Sequence, residues 1–228
     1  MRTQMSTDKL SNPSRRPKRN GPGRPEGHTE NREKILDTAE KSFATHGYAA
    51  ASGREIASAA NVTQSMVNYY FGTKRQMFRE VYLRRGGRLA AERMKLLDRI
   101  TSRGQFDIED VVRAYLIPPF RLQATAQGRY FLRLQDRLHA EPDELAFELR
   151  REVYDRPVRA YVGALQKLLP HKSEETLYLR FAQLIGIYLY ILSDAHRIQE
   201  ISGGKCSMPQ SDSMIEEIVV FTCAGLRS

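Results

Sequence analysis

Only two cysteines occur in 228 residues, too few for a disulfide framework and without the spacing of a metal-ligand set. Cys206 and Cys223 read either as a redox pair or as reduced thiols, and the second suits a cytosolic chain better. No uncharged apolar run approaches the roughly 18 residues of a membrane-spanning helix, and the N-terminus lacks the apolar stretch of a secretory signal. The expected location is therefore cytoplasmic, with no membrane partner. His28, His46, His139, His171 and His196 are scattered, with no catalytic triad, metal pattern or phosphate-binding loop around them. Neither an enzyme nor a metal site nor a cofactor is expected. From Asp107 onward there is no strand pair and no turn-punctuated β pattern, and the chain has no internal repeat, which leaves an all-α fold.

What the chain does have is charge, unevenly placed. Residues 1–103 hold 21 Lys and Arg against 10 Asp and Glu, whereas residues 104–228 hold 15 against 17. A polyanionic partner for the first part follows from that asymmetry. At 41% hydrophobic residues the chain has enough apolar material for a core.

Three parts are expected: a basic arm over 1–28, a helix-turn-helix DNA-binding domain over 29–75, and a helical effector-binding and dimerisation domain over 76–228. The arm is rich in Pro, Gly, Ser and Asn and buries too little surface to fold alone, so it reads as flexible. Its Gly23-Arg24-Pro25 resembles the core of an AT-hook, which would place Arg24 in a narrow A-T-rich minor groove. A solvated tail giving only non-specific attraction is the other reading. A first helix is expected over 29–46, with Ile35, Leu36, Ala39 and Phe43 at helical spacing and Gly47 ending it. Thr73 should cap a long helix to about Ser102, with Phe78, Val81, Tyr82, Leu89, Met94 and Leu97 inward and a bend at Gly86-Gly87. Further helices are expected over 107–124, 128–140, 142–169, 173–201 and 211–226. Pro118, Pro119 and Pro157 interrupt them, and Pro142 suits a first turn.

Ser52 to Lys74 reads as helix, tight turn and short helix. Ser52 and Glu55 have capping-box spacing, Ile56, Ala57 and Ala60 give one apolar face, Asn61 suits a left-handed turn position, and Thr63 caps the next helix. Val67 and Phe71 point inward four residues apart, leaving Gln64, Ser65, Asn68 and Tyr69 outward. With Arg32-Glu-Lys-Ile-Leu36, Ala39, Phe43, Gly47, Glu55-Ile-Ala57, Asn61-Val-Thr63 and Tyr69-Tyr-Phe71-Gly-Thr-Lys74, the chain resembles the TetR family of bacterial transcriptional regulators. It departs from that pattern at Asn61, where glycine is usual, and at Asn68, where an aromatic is common.

The resemblance implies a homodimer joined through the last two helices, and Phe181, Leu184, Ile185, Tyr188, Leu189, Leu192, Ile215, Ile218, Val219 and Phe221 are the candidates for that surface. Internal core is the alternative. It also implies phosphate contacts from Tyr69, Tyr70 and Lys74. Gln64, Ser65, Met66 and Asn68 are expected to face the major groove beside Thr63, with Arg54 reaching the DNA from the preceding helix. The expected partner is double-stranded DNA with a palindromic operator. The expected function is regulation of transcription, repression being commoner in the family than activation, with release by an unknown small-molecule effector. Its candidate pocket is lined by Tyr115, Phe120, Tyr130, Phe131, Phe147, Tyr154, Phe181 and Tyr188, with Arg133 and Asp136 as interior polar groups. An architectural DNA binder with little sequence preference and no effector is the alternative; steep salt dependence without preference would mark it.

Overall fold

The computed structural model describes residues 26–140, 144–193, 197–207 and 209–228, and all its regular elements there are helical. Arg24 and residues 1–25 of the expected arm, together with Pro142, lie outside the described residues, whereas residues 26–28, also expected in the arm, belong to the first helix. Helix α1 (Glu26–Ala50) is interrupted at Gly47, whose φ of 81° only glycine adopts easily. A Cβ there would lie 2.7 Å from Arg137 Nη1. Helix α2 (Gly53–Ala59), helix α3 (Gln64–Phe71) and helix α4 (Lys74–Thr101) follow. Thr73 caps α4 as expected, accepting the Gln76 amide at 3.1 Å.

Helices α5 (Ile108–Gln123), α6 (Ala126–Ala140), α7 (Glu144–Leu168), α8 (Glu174–Ser193), α9 (Arg197–Ile201) and α10 (Ser211–Arg227) complete the order. Of the helix expected over 173–201, α8 and α9 are the parts within the described residues, and residues 194–196 lie outside them. At the start of α5, Asp107 and Asp110 form a reciprocal capping box. Pro118 and Pro119 remain within α5, and Pro157 within α7. Gly86 and Gly87 both lie within the continuous helix α4, and a Cβ on Gly86 would meet Val153 at 3.0 Å, so the glycine admits α7 against α4. Met94 is half-buried rather than buried.

The helices enclose two apolar cores. One joins Ile35, Phe43, Ile56, Val67, Phe71 and Phe78 to Phe131 and Leu149, so α1 to α3 share a core with α4, α6 and α7. The other joins Leu97, Val112, Tyr115, Leu165, Phe181, Leu184 and Ile218 across α4, α5, α7, α8 and α10. Among the described residues, α8 alone is long and apolar enough to cross a membrane by composition, at a mean hydropathy of 1.3. Leu177, Phe181, Leu184, Tyr188 and Leu192 seat it in the second core.

The α8–α10 residues fall on two sides. Phe181, Leu184, Tyr188, Leu192, Ile215, Ile218 and Val219 are buried within this one chain, because the helical period turns them onto α5 and α7. They are not free for a partner. The exposed apolar side chains are Leu179, Tyr190, Val220 and, as expected, Phe221, flanked by exposed Ala182, Gly186 and Ala224. Ile185 and Leu189 lie between, half-buried.

Candidate nucleic-acid interface and the buried polar cluster

Helix α2 begins where Ser52 Oγ accepts the Glu55 amide at 3.1 Å, the serine half of the expected box, while the Glu55 side chain is exposed. The turn then closes on backbone bonds: the Asn61 amide donates to Ser58 O and the Val62 amide to Ala57 O, both at 3.0 Å. Asn61 has φ 54°, the left-handed geometry expected of it. Thr63 Oγ1 accepts the Met66 amide at 3.2 Å and starts α3. Val67 and Phe71 are buried and fix the roll of α3, which leaves Gln64, Ser65, Asn68 and Tyr69 exposed. Tyr69 is 73% exposed and meets Tyr70 edge to face at 5.4 Å.

Two polar pairs order this face. Gln64 Nε2 donates to Asn68 Oδ1 at 3.3 Å, and the Thr63 and Ser65 hydroxyls lie 2.9 Å apart. Met66 is half-buried against the core, so only part of it faces outward. Arg54 is exposed on the first turn of α2. Lys74 Nζ donates to Ala49 O at 2.9 Å and stands 4.8 Å from the Tyr48 ring centroid, so the lysine also ties α4 to the end of α1. A lysine ammonium has three donors, and two remain for a phosphate oxygen.

Residues 35–81 match a family model described as "Bacterial regulatory proteins, tetR family", and residues 113–225 match one described as "Tetracyclin repressor-like, C-terminal domain". The chain belongs to the TetR family. Over 52 residues this TetR-family regulator is 38% identical to proteins named "Probable acrEF/envCD operon repressor" in Escherichia coli K12 and O157:H7. That match spans 23% of the chain and 24% of each relative, so the chain covers about a quarter of those relatives. Among solved structures, it resembles NalD, described as the secondary repressor of the MexAB-OprM multidrug efflux pump in Pseudomonas aeruginosa. The TM-score is 0.61 at 19% identity, covering 87% of this chain and 97% of that one. A TetR-family regulator from Bordetella parapertussis 12822 gives 0.63 at 17% identity over 84% and 93%. The fatty acid degradation regulator FadR from Bacillus halodurans gives 0.57 at 18% over 85% and 98%. At such identities the likeness is one of fold.

The ligand candidates of this TetR-family chain divide sharply. Tyr115, Phe120, Phe131, Tyr154, Phe181 and Tyr188 are buried, Tyr130 is half-buried and Phe147 is half exposed, with the Arg150 guanidinium 4.6 Å over its ring. Arg133 and Asp136 are exposed, not interior, because Leu132, Leu134 and Gln135 take the inward positions of α6. The polar groups actually inside are Arg93 and Gln135, each with no exposed surface. The guanidinium carbon of Arg93 lies 3.6 Å from the Tyr115 ring centroid and 5.4 Å from that of Tyr188. Arg93 Nε donates to Tyr115 O at 3.2 Å, and Tyr161 Oη donates to Arg93 O at 2.8 Å. Gln135 Nε2 donates to Tyr188 Oη at 3.2 Å, and Tyr82 Oη to Tyr154 Oη at 2.9 Å. Burial pushes the Tyr82, Tyr115, Tyr154 and Tyr161 phenols above their ordinary value, so all four are neutral beside the cation. The sequence carried a signal for Arg93: it stands four residues from both Leu89 and Leu97, in the apolar register of α4.

The two thiols are far apart in character. Cys206 is exposed, while Cys223 is buried, and burial pushes its thiol up to about 12, which keeps it protonated at neutral pH.

Proposed function

We propose that this TetR-family regulator is a sequence-specific repressor that binds a palindromic operator as a homodimer and is released by a small-molecule effector. The exposed face of α3 carries the reading: Gln64, Ser65, Asn68 and Tyr69 sit together on a helix whose roll Val67 and Phe71 fix. Gln64 and Asn68 suit bidentate recognition of adenine in the major groove, and Tyr69, Tyr70, Lys74 and Arg54 suit the flanking phosphates. Repression is the role in the printed names of the Escherichia coli relatives and of NalD. A single α3 of eight residues reads few bases, and pairing two of them requires a twofold partner. The exposed Leu179, Tyr190, Val220 and Phe221 of α8 and α10 support it as an apolar face open to a second copy.

In this reading residues 29–75 are the DNA-binding part and 76–228 the effector and dimerisation part. The shared helix α4 and the bond from Arg137 Nη2 on α6 to Thr45 O on α1, at 3.2 Å, are the mechanical links. An effector that prefers one spacing of the α3 pair shifts the population toward it, and operator DNA weakens the effector by the same factor. The site of action is the cytoplasm.

Selection of bound sequences from random DNA by the purified chain, at near-physiological salt, is the test. An enriched inverted repeat is the expected result. Binding without enrichment would replace the proposal with an architectural role. On the selected operator, Asn68→Ala is expected to relax preference at one or two base positions, and Lys74→Ala to weaken all sequences evenly and flatten the salt slope by about one.

A further inference from the structure

Arg93 is a fully buried cation that meets no carboxylate among the described residues. Its Nη1 and Nη2 have no acceptor in bonding geometry, although the Tyr188 phenol is near enough to favour the charged form. The other strongly shielded guanidinium groups of α4 are treated differently: Arg84 and Arg85 face Glu33, Asp37 and Glu40 on α1. A buried charge is costly unless paired, and aromatic faces compensate it only in part. The free end of the guanidinium fork has the geometry that holds an oxyanion through two parallel bonds.

A groove open to solvent lies near it on α4. A groove of about 500 Å³ runs between α4 and α7, lined in part by Ala90, Met94 and Pro157. Ala90 is about one helical turn from Arg93 on α4 and Pro157 about one turn from Tyr161 on α7, so the groove passes within a turn of the cluster; Lys95, Asp98, Glu152 and Arg156 stand on its rim. Arg93 also sits on α4 between Leu89 of the DNA-side core and Leu97 of the distal core.

We propose that Arg93 is the recognition point for an organic oxyanion with an apolar body, whose carboxylate or phosphate accepts from Nη1 and Nη2 beside the Tyr115 ring. The apolar body occupies the α4–α7 groove. This inference rests on the ligand-responsive reading above and names the chemical class of the effector. An anion drawn onto Arg93 acts on the helix that also carries Arg84 and Arg85 against α1.

The test uses the full chain, calorimetric titration and thermal unfolding, with octanoate and octyl phosphate as probes and 1-octanol and octylamine as controls. The expected result is saturable binding of at least one anion, with the tighter of the two distinguishing carboxylate from phosphate. Arg93→Met is expected to lose anion binding while leaving any binding of 1-octanol unchanged, and Arg93→Lys, which keeps charge but not the fork, to weaken the anion about tenfold. If Arg93→Met does not fold, Arg93→Lys carries the test alone. Absence of anion binding, or equal binding to wild type and variant, overturns the proposal. Operator binding is measured in parallel. Arg93-dependent anion binding that leaves operator affinity unchanged supports this site and removes the effector reading. Release by 1-octanol, equal in wild type and Arg93 variant, keeps the effector reading and overturns this inference.

Discussion

Two stretches of α4, barely two turns apart, solve the same electrostatic problem in opposite ways. At Arg84 and Arg85 the guanidinium groups cross to α1 and meet carboxylates: Arg84 reaches Glu33 at 3.0 Å, Asp37 at 2.7 Å and Glu40 at 2.9 Å, and Arg85 reaches Glu40 at 3.1 Å. Arg32 on α1 adds a return bridge to Glu80. Two turns on, Arg93 is deeper and has tyrosine rings and one carbonyl instead. The paired stretch locks α4 to α1 by a network that neutralises its charges, with Arg84 Nε alone among its guanidinium nitrogens buried and without a partner. The unpaired stretch keeps bonding capacity in reserve, which is a poor way to stabilise a fold and a good way to receive a ligand.

The most disruptive way to break this contrast is Glu40→Ala, which strips the central carboxylate from Arg84 and Arg85. A loss of about 3 kcal/mol in denaturant unfolding is expected, since truncating one member of a buried pair strands the others. Burial raises the Glu40 carboxyl above its ordinary value of 4.5, with Arg85 and Arg84 opposing. The pH-linked part of its contribution is therefore present below that ordinary value and lost as pH rises through the raised one, while the ion pairs to Arg84 and Arg85 need the carboxylate, so the substitution is read at neutral pH. A loss well under 1 kcal/mol would mean that Glu33 and Asp37 carry the network by themselves.

A sharper comparison is a double-mutant cycle of Arg93→Met with Tyr115→Leu. If the ring compensates the cation, a coupling of about 2 kcal/mol is expected between them in unfolding free energy. Near-additive effects would show that Tyr115 acts by packing alone. The smallest effect belongs to an exposed pair outside α4. Arg113 Nε and Nη2 reach the two Glu216 carboxylate oxygens at 2.8 Å each, fastening α10 to α5. Glu216→Gln is expected to cost less than about 1 kcal/mol, because over half of the Glu216 side chain is in water. Hydrogen bonding to Arg113 holds the Glu216 carboxyl below its ordinary value, so this contribution is present above pH 4.5 and fades as pH falls through the lowered value. Indifference of the variant's deficit to pH between neutral and acid would remove the pair as a contributor.

These contrasts follow the line between what was legible in the sequence and what was not. The helix-turn-helix was legible because its determinants are local. Ser52, Asn61, Thr63 and Thr73 each bond or turn within three residues, and Val67 with Phe71 needs only helical spacing. The distal bundle was less so, since its long helices touch neighbours on several sides and the choice of inward face belongs to partners far away in sequence. The aromatics near Arg133 and Asp136 suggest an inward place for both, yet α6 turns Gln135 inward and leaves them exposed. Most of the residues expected to meet a second subunit prove to be this subunit's own core, and the exposed set is a quarter-turn away at Leu179, Tyr190 and Val220. Arg93 is hard to read from sequence because a charged residue in an apolar register looks like a gap in the stripe.

The rings around Arg93 have a spectroscopic consequence. The chain contains no tryptophan and eleven tyrosines, and Tyr82, Tyr115, Tyr154, Tyr161 and Tyr188 are buried in or beside this cluster. Near-ultraviolet circular dichroism and intrinsic emission, which an indole would otherwise dominate, therefore draw heavily on the place where α4 passes from one core to the other. The unlabelled protein carries its own optical probe of that crossing.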